Sequence, residues 1–419
     1  MTPTTVRIAI IGAGPGGLAC ARVLQRHGVP VTVFDHDAGV RPRGGMLGLP
    51  VTTAQEALRA AGLHERFAAL ARPEGRELRL LDHTATVLFR HTPGPGASDR
   101  PAGTGPESDH PGATDRSWAD EPGVHEPGAD GPGAARSEID RSDLRRLLLD
   151  SLAPGTVRWN SYLRTLHPLG DGRHRAEFDD GHSETFDLVV GADGTWSRVR
   201  PMLSDADPHY TGVTFVESGC EDAGTRHPDI ARLVGGGGMW AESAGRALFA
   251  RREGGGRIRV YAAFRGSQDW ALDAGVRMAD TDAVRAALLD RFAGWDERLL
   301  ALLRANDGGF ANRPLFALPV PHTWTHTPGL TLLGDAAHLM PPFTGRGADL
   351  ALLDGADLAR ALAAHDDPDE AVRAYEAAML SRAAAAAEAA ARASADALAP
   401  DAPRASLHQL RAAFGAPQP

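Results

Sequence analysis

The chain has 419 residues, 42% of them apolar and 23% charged, with a formal net charge of -10 at pH 7 and a mean hydropathy of -0.25. That length allows a large core and two or more domains. No apolar run approaches the roughly 20 residues of a membrane span, and the acidic balance argues against nucleic acid as a main partner. Lysine is absent and the only cysteines are Cys20 and Cys220, which excludes Schiff-base chemistry, a disulfide framework and a cysteine-based metal cluster.

The opening residues carry neither the basic start nor the apolar core of a signal peptide, so a cytoplasmic protein is expected. Val6 to Ile11 reads as a buried strand. Gly12-Ala13-Gly14-Pro15-Gly16-Gly17 follows it and opens a helix expected over Leu18 to His27, closed by Gly28. A second strand, Val31 to Phe34, ends at Asp35. A helix is expected from about Thr53 to Leu70, with a break at Gly62. His91 to Arg136 is about one-third Gly and Pro, with Trp118 as its only aromatic residue. It offers too little apolar surface to offset ordering entropy and reads as a surface insertion.

Glu138 to Leu149 reads as a helix with a leucine-rich face. Strand-like pieces follow at Thr156 to Trp159, Arg175 to Phe178 and Phe186 to Val190, the last leading into Gly191-Ala192-Asp193-Gly194. Antiparallel strands are expected at Thr211 to Val216, Ala247 to Ala250 and Arg257 to Phe264, with turns at Gly235–Gly238 and Gly254–Gly256. Leu330 to Leu333 is a return strand ending in Gly334-Asp335. Leu350 to Leu362 is helical in pattern, and an Ala-rich helix runs from Asp369 to Ala397, ended by Pro400 and Pro403. The expected plan is an α/β nucleotide-binding domain in three parts, 1–90, 137–207 and 313–366. It is interrupted by the 91–136 insertion and by an antiparallel sheet domain at 208–312. The helix at 367–399 bridges the two, and 400–419 is a fraying tail.

Three motifs carry the chemistry. In Gly12-x-Gly14-x-x-Gly17, the first glycine permits a tight turn, the second lets backbone approach a pyrophosphate, and the third lets helix and strand pack closely. The helix start offers free N–H groups and a positive dipole end to that phosphate. Asp35, about 20 residues on, stands where an acid binds ribose hydroxyls. This motif alone does not separate FAD from NAD(P). Asp193-Gly194 and Gly334-Asp335, each at the end of a later strand, suggest one long cofactor held from both ends of the chain.

In this order and spacing the motifs resemble the single-component flavin monooxygenases of the p-hydroxybenzoate hydroxylase type. That resemblance implies FAD as cofactor, a Rossmann-like α/β domain of the glutathione reductase-2 type, an inserted antiparallel β-sheet substrate domain and a long C-terminal helix. It places Asp193 near the pyrophosphate and Asp335 on the ribityl chain. A closer likeness, to the tetracycline-inactivating flavin monooxygenases and their actinomycete relatives, rests on four stretches. They are Arg43-Gly44-Gly45-Met46-Leu47, Glu138 to Arg145, Trp295-Asp296-Glu297-Arg298 and Gly334 to Phe343. It implies that Arg145 contacts FAD and that Arg41 or Arg43 lies near FAD or NADPH. Pro341-Pro342-Phe343 would wall the flavin ring, and Gly345 and Gly347 would let backbone approach it.

The chain departs from that pattern at three places. Gly48 stands where relatives usually carry an acid, Arg346 stands where they carry Gln or Glu, and Asp349 replaces an asparagine. Glu217, Met239, Trp240 and Phe343 are the residues expected on the substrate side. His338, beside Leu339 and Met340, reads as a packed histidine and not as a base. No catalytic residue and no metal site is assigned. The reading is an FAD-dependent, NAD(P)H- and dioxygen-consuming monooxygenase, acting through a flavin hydroperoxide as a monomer on an aromatic or polycyclic, polyketide- or tetracycline-like small molecule. A reductase or dehydrogenase of the same fold, which consumes no dioxygen, is one alternative. A non-catalytic flavin-fold binder of a polycyclic ligand is another.

Overall fold

The computed structural model describes residues 6–40, 45–72, 77–92 and 136–414. Most of the 91–136 insertion, together with Arg41 and Arg43, lies outside the described residues.

The first sheet has five parallel strands. Ile8–Ile11 sits at its centre, with Val31–Phe34 and then Val157–Arg158 on one side, and Leu188–Gly191 and then Leu330–Leu332 on the other. Ile8–Ile11, Leu188–Gly191 and Leu330–Leu332 are buried along their whole length, as strands covered on both faces must be. Helix Pro15–Arg26 and helix Gly347–Ala364 pack against one another on this sheet. Their approach is set by glycine. A Cβ on Gly355 would lie 2.2 Å from the Gly16 carbonyl oxygen, and one on Gly16 would lie 2.6 Å from that of Ala351. A three-stranded sheet of Leu163–Pro168, His174–Phe178 and Ser183–Phe186 flanks the second strand, where Phe34 stacks on Phe178 at 4.6 Å.

The second sheet has seven strands in the order Ala311–Ala317, His209–Cys220, Ile258–Arg265, Arg246–Arg252, Gly238–Ser243, Leu78–Leu81 and Val87–His91. One face packs on helices Pro228–Val234, Thr281–Arg291 and Glu297–Arg304 to form a separate core. A two-stranded ribbon, Met46–Pro50 with Arg136–Asp140, stands between the two sheets. Helix Pro368–Ala397 opens on Pro368, with the Asp367 carboxylate accepting from the Asp369 N–H, a cap that fixes where this helix starts.

Several expectations are corrected. Leu78–Leu81 and Val87–His91, expected with the nucleotide-binding unit, pair into the large sheet. The boundary expected between 312 and 313 falls inside strand Ala311–Ala317. Glu138 to Asp140, expected as the first turn of a helix, belong to strand Arg136–Asp140, and the helix runs over Arg141–Leu149. The physical reason is that Glu138 and Ile139 alternate between the two ribbon faces. Phe186 and Val190 lie on different strands, separated at Asp187. The tail forms a helix, Arg404–Phe414, whose Leu410 packs with Leu80 and Phe89.

Candidate active site

Parallel pairing brings the carboxyl ends of four strands to one edge. Gly12, Asp35, the Ala192-Asp193 turn and Gly334-Asp335 therefore stand side by side. Neighbours of the central strand leave in opposite directions here, the switch point at which open α/β sheets bind ligands. Gly12 holds φ at +113°, and a Cβ there would lie 2.2 Å from the Ala192 carbonyl oxygen. The glycine motif and the Asp-Gly turn are thus locked together. A Cβ on Gly17 would lie 2.2 Å from the Gly12 oxygen, which explains the close helix-strand contact. Gly14, by contrast, has nothing nearer to its Cβ position than one atom at 4.0 Å, so the helix start is open to a ligand.

Asp35 is buried, and its two oxygens accept the N–H groups of Ala13 at 2.7 Å and Asp37 at 2.8 Å. Each oxygen keeps lone-pair capacity for a hydroxyl. Arg145, 5% exposed, donates from Nε to the Ala13 oxygen at 3.2 Å and lies within 3.9 Å of Asp35 and 3.8 Å of Asp37. Its guanidinium stacks over Trp159 at 5.7 Å, which pre-sets its plane. Asp193 accepts the Arg198 N–H at 2.7 Å through one oxygen, while the other is buried with no hydrogen-bond partner among the described residues. Burial pushes this carboxyl above the usual range, against the hydrogen bond from Ser197.

Asp335 is exposed at the start of helix Asp335–His338, and its Oδ1 lies 3.6 Å from the Cβ position of Gly347. Pro342 and Gly345 are exposed on the loop before it, Gly345 with φ +66°. An open helix start, an acid at a strand end, a fixed guanidinium, an orphaned buried carboxylate oxygen and an exposed Gly loop together fit FAD. His338 is buried, with Nε2 2.6 Å from Asp354, which also accepts from Arg382 at 2.9 Å. Burial opposes a charge on its imidazole, but the Asp354 carboxylate outweighs this and raises its pKa. It is a packed ion-pair member, as expected.

On the large sheet, the face away from the helices meets this loop. Phe343 packs edge-on against Phe215 at 5.5 Å and Phe249 at 5.9 Å, and Phe215 touches Tyr261 at 5.7 Å. Cross-strand register sets Glu217, Tyr261, Phe249 and Trp240 in one row on that face. Glu217 is held between Arg259 and Arg313, the latter at 2.8 Å. Trp240 packs toward the last helix with Leu407 and Phe414. Met239 is a correction: at 2% exposure it belongs to the helix-covered core. Adjacent strand residues point to opposite faces, so Met239 and Trp240 cannot both look toward Phe343. Phe215, Phe249, Tyr261 and Trp159 were missed. The alternation of each strand was legible, but the pairing register that aligns them was not.

The fold and site define a flavin-dependent oxidoreductase of the two-domain α/β type. A family model described as "FAD binding domain" matches residues 5–235 and 322–390, and the chain belongs to that family. The 3-amino-4-hydroxybenzoate 2-monooxygenase PtnB3 of Streptomyces platensis is 30% identical over 383 residues, covering 90% of this chain and 84% of the relative. Monooxygenase penA of Penicillium thymicola is 28% identical over 411 residues, 86% of each chain. Klebsiella pneumoniae HpxO, solved with FAD and uric acid, matches 97% of this chain and 93% of its own at a TM-score of 0.75 and 20% identity. Tetracycline destructase Tet(55) matches 100% of each chain at 0.68 and 18%, a likeness of fold. The protein is an FAD-dependent monooxygenase that uses NAD(P)H and dioxygen. Among the described residues no helix is long and apolar enough to cross a membrane.

Proposed function

We propose that this enzyme hydroxylates an aromatic or polycyclic phenol lying on the wall formed by Phe215, Phe249, Tyr261 and Phe343. The observation that carries this is the edge-on packing of Phe343, from the cofactor loop, onto Phe215 and Phe249 of the large sheet. It joins the flavin side to an apolar, aromatic floor, where a flat ring gains both buried area and quadrupole contacts. Bound FAD, once reduced, supplies the oxygen-activating chemistry. Gly12, Gly14, Gly17, Asp35, Arg145 and Asp193 would hold its nucleotide half, and Asp335, Pro342, Gly345 and Gly347 its ring half. The start of the Gly347–Ala364 helix directs a positive dipole end at that position, which favours negative charge there.

The aromatic wall positions the ring and excludes water. Glu217, neutralised by Arg259 and Arg313, shapes the polar rim and is not a base. Relatives that act on 3-amino-4-hydroxybenzoate and salicylate support an aromatic substrate. Use of NAD(P)H supports a cytoplasmic enzyme. The test is purification of a yellow protein with releasable FAD, followed by NADPH oxidation and dioxygen uptake with candidate phenols. Matched consumption and a product with one added oxygen atom are expected. NADPH turnover without dioxygen uptake would point to a reductase instead.

A further inference from the structure

The ribbon between the two sheets has two unlike faces. Leu49 and Ile139 point into the core of the nucleotide-binding domain. By alternation, Arg136, Glu138 and Asp140 line the opposite face, toward the large sheet. Glu138 pairs there with Arg251 at 2.5 Å, and Arg251 stands two residues from Phe249 on the aromatic face. The Asp140 Oδ2 lies 2.5 Å from the Cβ position of Gly254 in the same domain. A third wall comes from the flavin loop, where Arg346 pairs with Asp349 at 2.7 Å.

Arg136 stands among these walls. Its charge is felt from Glu138, Asp349, Arg346 and Arg251. Yet Glu138 is engaged with Arg251, and Asp349 with Arg346. Among the described residues Arg136 has no ion pair, and its buried Nε has no hydrogen-bond partner. Burial pulls its pKa below the usual arginine range, ahead of the opposing pull of Glu138 and Asp349. A guanidinium cannot relieve this by losing its proton. A desolvated cation with donors to spare calls for an anion. Gly48 lets the Arg136 and Glu138 side chains lie close over the ribbon: a Cβ there would lie 3.3 Å from the Arg136 Cδ and 2.8 Å from the Glu138 Oε1.

We propose that Arg136 is the specificity-determining residue of this site, and that it binds an anionic group, a carboxylate or phenolate, carried by the aromatic substrate. This rests on the aromatic hydroxylase reading above. The planar fork of Arg suits a carboxylate, and the neighbouring aromatic wall takes the ring that bears it.

The test uses the FAD-loaded enzyme and two matched probe pairs, 4-hydroxybenzoate with 4-hydroxybenzamide and 3-hydroxy-2-naphthoate with its carboxamide. Binding is read by perturbation of the flavin spectrum, and turnover by NADPH oxidation. For Arg136→Gln, binding of the acids should weaken by about 10- to 100-fold, the range of a charge-assisted contact. The amides should bind as to the wild type, and KM should rise with little change in kcat. Arg136→Lys should recover part of the loss. Equal weakening of acids and amides, or none of either with FAD content unchanged, would overturn the assignment. If no aromatic probe perturbs the wild-type flavin, the hydroxylase reading falls and this one with it. If the amides bind wild type as tightly as the acids, only the role of Arg136 falls.

Discussion

Arg346 and Asp349, two residues in which this chain departs from the resembled flavin monooxygenases, form an ion pair with each other at 2.7 Å. Asp349 is 1% exposed, and its other oxygen accepts the Ala54 N–H at 3.0 Å and the Thr53 hydroxyl. It therefore closes the start of helix Ala54–Ala60 from outside that helix, a job Thr53 does not do with its own side chain. The carboxylate does not face the flavin site as an isolated negative charge. Each of the two departures supplies the other's counter-charge.

Removing one partner should cost more than removing both. Asp349→Asn keeps an oxygen for Ala54 but leaves Arg346 without its carboxylate, and a loss of about 3 kcal/mol is expected. Adding Arg346→Gln should restore more than half of it. Urea unfolding of the FAD-loaded single and double variants measures the coupling. Strictly additive losses would mean that the pair is not a unit.

The cofactor side of the site makes a second prediction. Arg145 donates to the Ala13 oxygen at the mouth of the glycine turn and sits beside Asp35 and Asp37. Arg145→Met removes the cation and leaves two neighbouring carboxylates facing an anionic cofactor. FAD affinity is expected to fall by roughly 10- to 100-fold, the scale of one charge-assisted hydrogen bond. Fluorescence titration of the apoprotein with FAD reads this directly.

The cofactor half of this molecule was legible because its constraints are local. Gly12, Gly14 and Gly17 answer to a turn and a helix start within a few residues, and Asp35, Asp193 and Asp335 each follow an apolar strand. The substrate half was not, because it depends on register between strands far apart in sequence. Glu217 faces Tyr261, and Tyr261 faces Phe249, only once three strands are aligned. A one-residue slip would exchange the two faces, and Met239 shows the consequence. Glu138 to Asp140 read as helix because Glu138 to Leu149 carries a helical apolar stripe. Pairing with Met46–Pro50 overrides it at the start.

His338 gives a prediction of stability without chemistry. It shares the buried Asp354 with Arg382, tying helices Asp335–His338, Gly347–Ala364 and Pro368–Ala397 together. Asp354→Asn would remove the carboxylate that both His338 and Arg382 use, leaving Arg382 only Asp357 at 3.1 Å, and a loss on the order of 3 kcal/mol is expected. His338→Gln should lower thermal stability while turnover per bound FAD stays near wild type. A large fall in kcat at unchanged FAD content would instead make His338 part of the reaction. Because Asp354 holds the folded imidazole above its ordinary pKa, this pair stabilises fully below the unfolded value of 6.5. That contribution fades as pH rises through the folded value.

Glu242 predicts a pH dependence of the opposite kind of group. It is 1% exposed on the sheet face covered by the last helix, beside Trp240, Ser406 and Asp396, and one of its oxygens has no hydrogen-bond partner among the described residues. Burial, helped by Asp396 and opposed by the Ser406 hydrogen bond, pushes its carboxyl from 4.5 up to about 7. Between those values the unfolded chain releases this proton while the folded chain keeps it. The folded state then binds more protons, so stability falls as pH rises through that window. The full cost above the folded value is on the order of 3 kcal/mol. Glu242→Gln, which cannot ionise, should remove that slope and be more stable than wild type at about pH 8, with the two proteins converging only below the unfolded value of 4.5. Denaturant midpoints across this range decide it, and parallel curves for the two proteins would show that Glu242 does not titrate there.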